Sequence, residues 1–329
     1  MPAKGCVLCH QGAKMVLFVT GRCRRACWYC PLSGERKGRD VVFANDRQIE
    51  SPDQVIEEAE KMSALGTGIT GGEPFLCLDR VAEYCCLLKR HFGTDHHIHL
   101  YTATAPTSEE LEKLRGLVDE IRFHPPRECW ETILDSGYIM AAQHAREMGF
   151  FVGIEVPALP GLGLLAPALP YIDFLNINEL EWGETNAATM RERGYELSDG
   201  THNAVRGARG WADELLEHEN VHWCASSFKD AVQLRERLKR IATNTARAFD
   251  EVTDDGTVVY GVLELPAVGR DACLARCRDD LEPGSFSEFP DRIEMAWWLL
   301  GGLGAEVPGK RYVVERYPDG GMVVEVTPL

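Results

Sequence analysis

Short apolar runs alternate with amphipathic stretches through the first two-thirds of the chain. Seven runs read as strands: "KMVLFVTG" (14–21), "GTGITGG" (66–72), "HIHLYTA" (97–103), "EIRFHP" (120–125), "FFVGIEVP" (150–157), "DFLNINE" (173–179) and "VHWCAS" (221–226). They are nearly continuous in Val, Ile, Leu and Phe, as parallel strands covered on both faces are. The stretches between them carry helix signals. Ser51-Pro52-Asp53-Gln54 supplies a capping hydroxyl, a proline at the first helical position and a capping-box glutamine. Val55, Ile56, Ala59 and Met62 then share one face, and Gly66 follows as a stop. "TSEELEKLRGL" and "YIMAAQHAREMG" repeat the pattern. Strand–helix–strand units in series cross over right-handed and curl. The prediction is an α/β fold, a partial or near-complete (β/α) barrel over residues 1–242, with its chemistry in the loops at the carboxyl ends of the strands.

The pattern changes after residue 242. "FDEVTDDGTVVYGVLEL" and "RYVVERYPDGGMVVEVTPL" each place an Asp-Gly pair between β-branched and aromatic residues, a hairpin signal. "PDRIEMAWWLLGG" between them reads as a helix, so residues 243–329 form a small C-terminal α+β module. "DAVQLRERLKRIA" (230–242), with Ala231, Leu234, Leu238 and Ile241 on one face, reads as the helix that closes the barrel.

With 45% hydrophobic and 26% charged residues among 329, the chain has an ordinary globular composition. No apolar run approaches the roughly 18 residues of a membrane span. The amino terminus lacks a signal-peptide apolar region, which places the expected protein in the cytoplasm with no membrane partner. A net charge of −16 disfavours nucleic acid as a partner. Arg22, Arg24, Arg25, Arg36, Lys37 and Arg39 nonetheless gather in one stretch, as a basic rim or as a solvated loop.

Twelve cysteines without a secretory signal read as metal ligands and buried thiols. Cys77, Cys85, Cys86, Cys129, Cys273 and Cys277 have no interpretable spacing. Cys23, Cys27 and Cys30 crowd into "GRCRRACWYCPLS", directly after the first strand. Three thiolates on one loop suit three corners of a [4Fe–4S] cube and leave the fourth open. A structural zinc site wants four ligands, usually as two separated pairs.

Together with Gly71-Gly72-Glu73-Pro74 at the end of the second strand, this triplet resembles the signature of radical S-adenosylmethionine (radical SAM) enzymes over residues 13–230, with Tyr29 in the family's aromatic place. The resemblance implies a [4Fe–4S] cluster on the three cysteines, SAM on the open iron, and a reductant such as ferredoxin or flavodoxin. It implies cleavage of SAM to methionine and a 5′-deoxyadenosyl radical that takes hydrogen from a substrate. It gives Gly71 and Gly72 the task of letting backbone approach the methionine moiety, and Glu73 that of meeting its ammonium. Thr102, His124, Glu155, Asn176 and Asn178, at or near strand ends, become candidates for the ribose and adenine. His96, His97 and His99 are expected to include surface residues and a satisfied core histidine.

More narrowly, "GAKMVLFVTGRC", "LNINELE" and "FKDAVQLRERL" resemble an archaeal radical SAM group described as related to pyruvate formate-lyase activating enzyme. That implies an anaerobic, archaeal setting and leaves the substrate open. The acidity favours a small molecule or cofactor precursor; a protein or RNA substrate is the alternative. A non-catalytic iron–sulfur carrier would need a fourth cysteine near the triplet, and none is there. In "NINELEWGETN", Glu179, Glu181 and Asn186 are candidate substrate contacts or caps. Cys6 and Cys9 precede the first strand and Cys224 lies on the last, with His10 and His222 nearby. If first and last strands approach, these cysteines meet as a second iron–sulfur cluster or a zinc site; otherwise they are unrelated thiols.

Overall fold

The computed structural model describes residues 2–304 and 307–329. Contacts divide them into two units, residues 1–60 with 64–233, and 61–63 with 234–329. No helix among the described residues is long and apolar enough to cross a membrane.

All seven expected strands of the first unit form. They are β1 (Lys14–Phe18), β4 (Gly66–Thr70), β5 (His97–Thr102), β6 (Glu120–Phe123), β7 (Phe151–Pro157), β8 (Phe174–Asn178) and β9 (Val221–Cys224), with a small hairpin of β2 (Phe43–Ala44) and β3 (Arg47–Gln48) inserted after the first. The sheet runs β3-β2-β1-β4-β5-β6-β7-β8-β9, and every ladder from β1 to β9 is parallel. No ladder joins β1 to β9 among the described residues. Lys14 and Val16 of β1 nevertheless line the same interior cavity as His222 and Cys224 of β9, so the sheet curls into a partial barrel.

The crossovers pack outside. α2 (Pro52–Lys61) buries Val55, Ile56 and Ala59, the face read from the sequence. α3 (Leu78–Phe92) follows β4, and α4 (Ser108–Glu112) starts at a complete capping box of Thr107 and Glu110. α5 (Gly137–Glu147) and α6 (Ala187–Glu192) follow, before the single turn α7 (Ser226–Phe228).

The inward face is polar. Residues two apart on each strand share a face, and Tyr101, Arg122, Glu155, Asn176 and Asn178 all point into the barrel. The Arg122 guanidinium binds Glu155 at 2.5 Å and Glu120 at 2.5 Å, and Asn178 donates to the other Glu155 oxygen at 2.8 Å. Removing one partner of such a buried pair costs about 3–5 kcal/mol, because the other charge is left uncompensated.

Before the first strand the chain forms α1 (Lys4–His10), which packs on β1, β4 and β5 with Gly5, Cys6, Leu8 and Cys9 buried. This helix corrects the reading of the histidines. His96, His97 and His99 are all buried, and neither ring nitrogen of His99 has a hydrogen-bond partner. Surface exposure was expected because only the alternation within β5 was visible, not the helix that covers it.

The second unit is built on β11 (Val258–Glu264), flanked by β10 (Glu251–Val252), β13 (Arg292–Met295) and β14 (Lys310–Arg316). β12 (Phe286–Glu288) and β15 (Val323–Pro328) extend the sheet, and both Asp-Gly hairpins form, β10–β11 and β14–β15. Two expectations change here. The stretch 290–302 is half strand: Ile293 and Met295, both fully buried, alternate along β13, and only α10 (Trp297–Gly302) is helical. The stretch 230–242 opens as a π-helical turn over Lys229–Leu234, and its α-helical part, α8 (Arg235–Thr245), packs beside β10 in this unit. α9 (Arg270–Asp280), which the sequence reading missed, buries Cys273, Leu274 and Cys277 against Leu263, Ile293 and Met295.

Candidate active site

A cleft of about 640 Å³ opens at the carboxyl ends of the barrel strands. Cys23, Cys27 and Cys30 line it, on the loop that leaves β1. That loop is closed at its base by backbone bonds from Gly21 N to Arg39 O (2.7 Å) and from Gly38 N to Gly21 O (2.8 Å). Asp40 reinforces the base, accepting from Thr20 Oγ1 at 3.0 Å and from Arg80 at 2.7 Å. All twelve cysteines are free thiols. Among the described residues no three His, Cys, Asp or Glu side chains already stand at metal-binding geometry, the loop triplet included. Burial pushes the Cys23 and Cys27 thiols up from their ordinary range.

The Gly71–Pro74 stretch docks directly on this loop. Gly72 N donates to Thr20 O at 2.7 Å and Glu73 N to Arg22 O at 2.8 Å. A Cβ at Gly71 would stand 2.5 Å from the Thr20 carbonyl oxygen, and one at Gly72 would overlap the Arg22 and Gly21 carbonyls. The glycines therefore let two backbones touch, which sets the thiol loop against the end of β4. Glu73 is 1% exposed and fully engaged. Its carboxylate accepts from Phe75 N (3.1 Å), Thr102 Oγ1 (2.8 Å) and Ala103 N (2.7 Å), tying β4 to β5. Burial raises its pKa against those three donors.

Other expected residues gather around the cleft in two ways. Thr102, His124, Glu155 and Asn178 line it. His124 Nδ1 lies 2.9 Å from the Glu155 carbonyl oxygen, which accepts only if Nδ1 carries the proton. Nε2 is then the acceptor for the Tyr29 hydroxyl at 3.0 Å. Burial lowers the His124 pKa and so keeps the ring neutral. Glu155 is pushed up by burial, but Arg122 outweighs this and holds it below its ordinary value. Asn176 lies deeper, on a second cavity.

Glu179 and Glu181 also line the cleft. The Glu179 carboxylate accepts from Ser226 N at 2.8 Å, and Glu181 pairs with Lys229 at 2.6 Å. Burial alone would lower the Lys229 pKa; Glu181 and Cys224 reverse that and raise it. Asn186 has a bracing role: it donates to the Tyr29 and Glu181 carbonyls, both at 3.0 Å, and accepts from Gly183 N. Its neighbour Thr185 donates to Leu32 O at 2.7 Å, so the segment after β8 buttresses the thiol loop.

Sequence reasoning missed Lys229, Tyr101 and Lys14 on the cleft wall; Arg25, read there only as part of a basic stretch, lines the cleft and donates to the Ala103 carbonyl and the Tyr138 hydroxyl. Strand period was the available signal for two of them: Tyr101 is two residues from His99, and Lys14 two from Val16.

Cys6, Cys9 and Cys224, with His10 and His222, line a second, adjoining cavity of about 230 Å³. Burial raises the Cys6 thiol and pushes that of Cys224 up to about 12.

A loop-borne thiol triplet facing a glycine-backed ledge in a partial barrel defines a class, and the comparisons agree with it. The radical SAM superfamily pattern matches residues 17–125, and a domain of unknown function (DUF8061) matches residues 256–329. A Methanocaldococcus jannaschii protein, provisionally named a glycyl-radical enzyme activating enzyme, is 37% identical over 279 residues, 79% of this chain and 73% of that one. The chain belongs to the radical SAM superfamily and is an enzyme that uses a [4Fe–4S] cluster and SAM. Similar solved structures include the radical SAM methyltransferase TsrM from Kitasatospora setae, with cobalamin and a [4Fe–4S] cluster (TM-score 0.41, 11% identity, 70% of this chain). Streptococcus suis SuiB bound to SAM is another (TM-score 0.41, 13% identity, 65% of this chain). The chain spans 60% and 50% of the lengths of these two structures.

Proposed function

We propose that this enzyme activates a protein partner by removing a hydrogen atom from it, as a glycyl-radical enzyme activating enzyme does. The observation that carries this reading is the 37% identity to the M. jannaschii protein over 279 residues, well beyond the stretch matched by the superfamily pattern. It replaces the preference for a small-molecule substrate drawn from acidity alone. A small-molecule substrate is retained as a second reading by the buried-side pair of Glu181 and Lys229 in the cleft wall, which suits a polar ligand.

Cys23, Cys27 and Cys30 are the proposed cluster ligands. The site fits the group: three free thiols share one loop, and two glycines whose Cβ atoms would strike that loop hold it in place. Bound there, the cluster and SAM supply a 5′-deoxyadenosyl radical. The chain's own residues hold the geometry. Glu73 fixes the end of β5 through Thr102 and Ala103. Neutral His124 accepts from Tyr29, two residues beyond Cys27, and so steadies the thiol loop from below. Arg25 spans from the loop to Ala103 and Tyr138 and closes one side of the cleft.

The test combines reduced enzyme, SAM and a purified glycyl-radical enzyme under anaerobic conditions. The expected result is a glycyl-centred doublet in the EPR spectrum of the partner, with methionine and 5′-deoxyadenosine formed alongside it. SAM cleavage that proceeds without any partner radical, and accelerates on addition of small polar metabolites, would overturn the protein-substrate reading in favour of the second.

A further inference from the structure

The first cavity accounts for the triplet and for SAM; it leaves the second cavity without a task. Cys6 and Cys9 are one helical turn apart on α1 and so share a face. They are 7% and 9% exposed, turned inward with Gly5 and Leu8. What seats α1 is equally specific. Gly5 N donates to Glu120 at 3.3 Å, and a Cβ at Gly5 would strike the His99 ring and the Arg122 guanidinium. The third thiol, Cys224, ends β9 in register with Asn178 of β8. His10 and His222 face each other with ring centroids 5.8 Å apart. A helix at the amino terminus and the last barrel strand, more than two hundred residues apart in sequence, thus bring three thiols and two imidazoles to one cavity.

A second, independent observation points to an occupant. Asn176 lines this cavity, is 2% exposed, and its Oδ1 has no hydrogen-bond partner. A buried acceptor without a partner costs about 1–3 kcal/mol, and a metal ion of the occupant, unlike its sulfurs, can take up that lone pair. Lys14 and Lys229 also border the cavity and offset the negative charge that bound thiolates would bring.

We propose that Cys6, Cys9 and Cys224 hold a second metal centre of the iron–sulfur class, with the His10–His222 pair beside its remaining corner. The room available favours this over zinc. A zinc ion is gripped by sulfurs at about 2.3 Å and needs no chamber of its own. The cavity here, about 230 Å³, is several times the ~30 Å³ share of one water. It accommodates a body of several heavy atoms, and three protein thiolates leave one iron of a cube for a fourth ligand. Each thiol gives up its proton to solvent as its sulfur–iron bond forms. Tyr101, Glu155, Asn178 and Lys229 line both cavities, so the second centre borders the chamber in which substrate reacts.

The decisive comparison is anaerobic iron, sulfide and zinc content per chain for wild type, a Cys23/Cys27/Cys30→Ala triple variant and a Cys6/Cys9→Ala double variant. The expected iron content is about eight per chain in wild type and about four in each variant, on the basis of one four-iron cube per site. In the triple variant the surviving cluster's EPR signal should be indifferent to SAM; in the double variant it should respond to SAM, which also shows that the double variant is folded. No iron in the triple variant, with about four in wild type, overturns the second site and leaves the first assignment standing. Zinc retained in the triple variant, in place of iron, overturns the cluster and shows a single-ion site. About four irons in wild type that survive the triple substitution would count against the first assignment instead, so the two readings fail separately.

Discussion

The two cavities of the barrel differ in how their thiols are held. In the upper cleft three cysteines lie within eight residues of one irregular loop, placed by backbone bonds to Thr20, Arg22 and the end of β4. In the lower cavity they come from a helix and a strand end and are placed by regular structure, Cys6 and Cys9 buried and Cys224 half-buried. The first arrangement suits a site that must admit a large cofactor and release its products; Cys23 is exposed and the loop lies at the cleft mouth. The second suits a group installed once and retained. Loop thiols announce themselves in sequence by their spacing, whereas interior ones are brought together only by the fold.

The largest expected effect breaks the upper site alone. Gly72→Ala puts a methyl group onto the Arg22 and Gly21 carbonyls, and neither is the movable end of a side chain. The loop has to shift, and misplacement of about 1 Å costs on the order of 100-fold in rate. SAM cleavage should fall by that factor, measured as 5′-deoxyadenosine formed under excess reductant, while any metal held in the proposed lower site stays as in wild type. A rate near that of wild type would mean that the ledge does not position the loop.

How far the sequence carried depended on which forces were local. The seven strands were legible because apolar runs such as "MVLFV" must be covered whatever lies inside. The inward polar set was half legible: His97, His99 and Tyr101 obey the strand period, but nothing in the string says which face is the interior. α1 was not legible, since seven residues at a terminus give little intrinsic helix stability. The helix exists because it packs against β1, β4 and β5 with Gly5, Cys6, Leu8 and Cys9 buried, a tertiary effect. β13 was lost for a similar reason: "RIEMAWWLL" has an apolar content that suits helix or strand, and pairing with β11 decides. Glu73 was found by its motif, but its three donors were invisible until β5 was placed beside it.

The next effect sharpens the comparison from below, through pH. Burial lowers the pKa values of His96 and His97 from 6.5 to about 4, so both stay neutral in the folded barrel. Unfolded, each would take up a proton near 6.5. The unfolded chain thus binds more protons between the two values, and stability must fall as pH drops through that window and be full above it. At pH 5 the loss should be on the order of 2 kcal/mol per histidine. Urea midpoints at neutral and mildly acid pH measure it. His96→Gln, which can keep the 2.8 Å bond to Thr67 Oγ1, should flatten the dependence. An unchanged slope in that variant would mean that the acid sensitivity arises elsewhere.

The smallest effect tests whether the two cavities are independent. Lys229 lines both of them, whereas its partner Glu181 lines only the upper one. Charge-assisted bonds of this kind contribute about 1.5–3 kcal/mol, at the lower end where water reaches them. The Glu181 carboxylate lines the cleft and bonds Lys229, so if it meets substrate, as proposed, Glu181→Ala should lower substrate turnover about tenfold, the equivalent of about 1.4 kcal/mol. Uncoupled SAM cleavage should persist. Equal loss of both activities would remove Glu181 from the substrate wall and make it part of the scaffold. The lower cavity gives the second reading of the same variant. With Glu181 gone, Lys229 loses the neighbour that does most to keep its pKa high against burial. The Cys224 thiolate of the proposed second centre should hold the ammonium in Glu181's place, and metal content should be unchanged. A fall in metal content together with turnover would show that the two chambers act through Lys229 as one site.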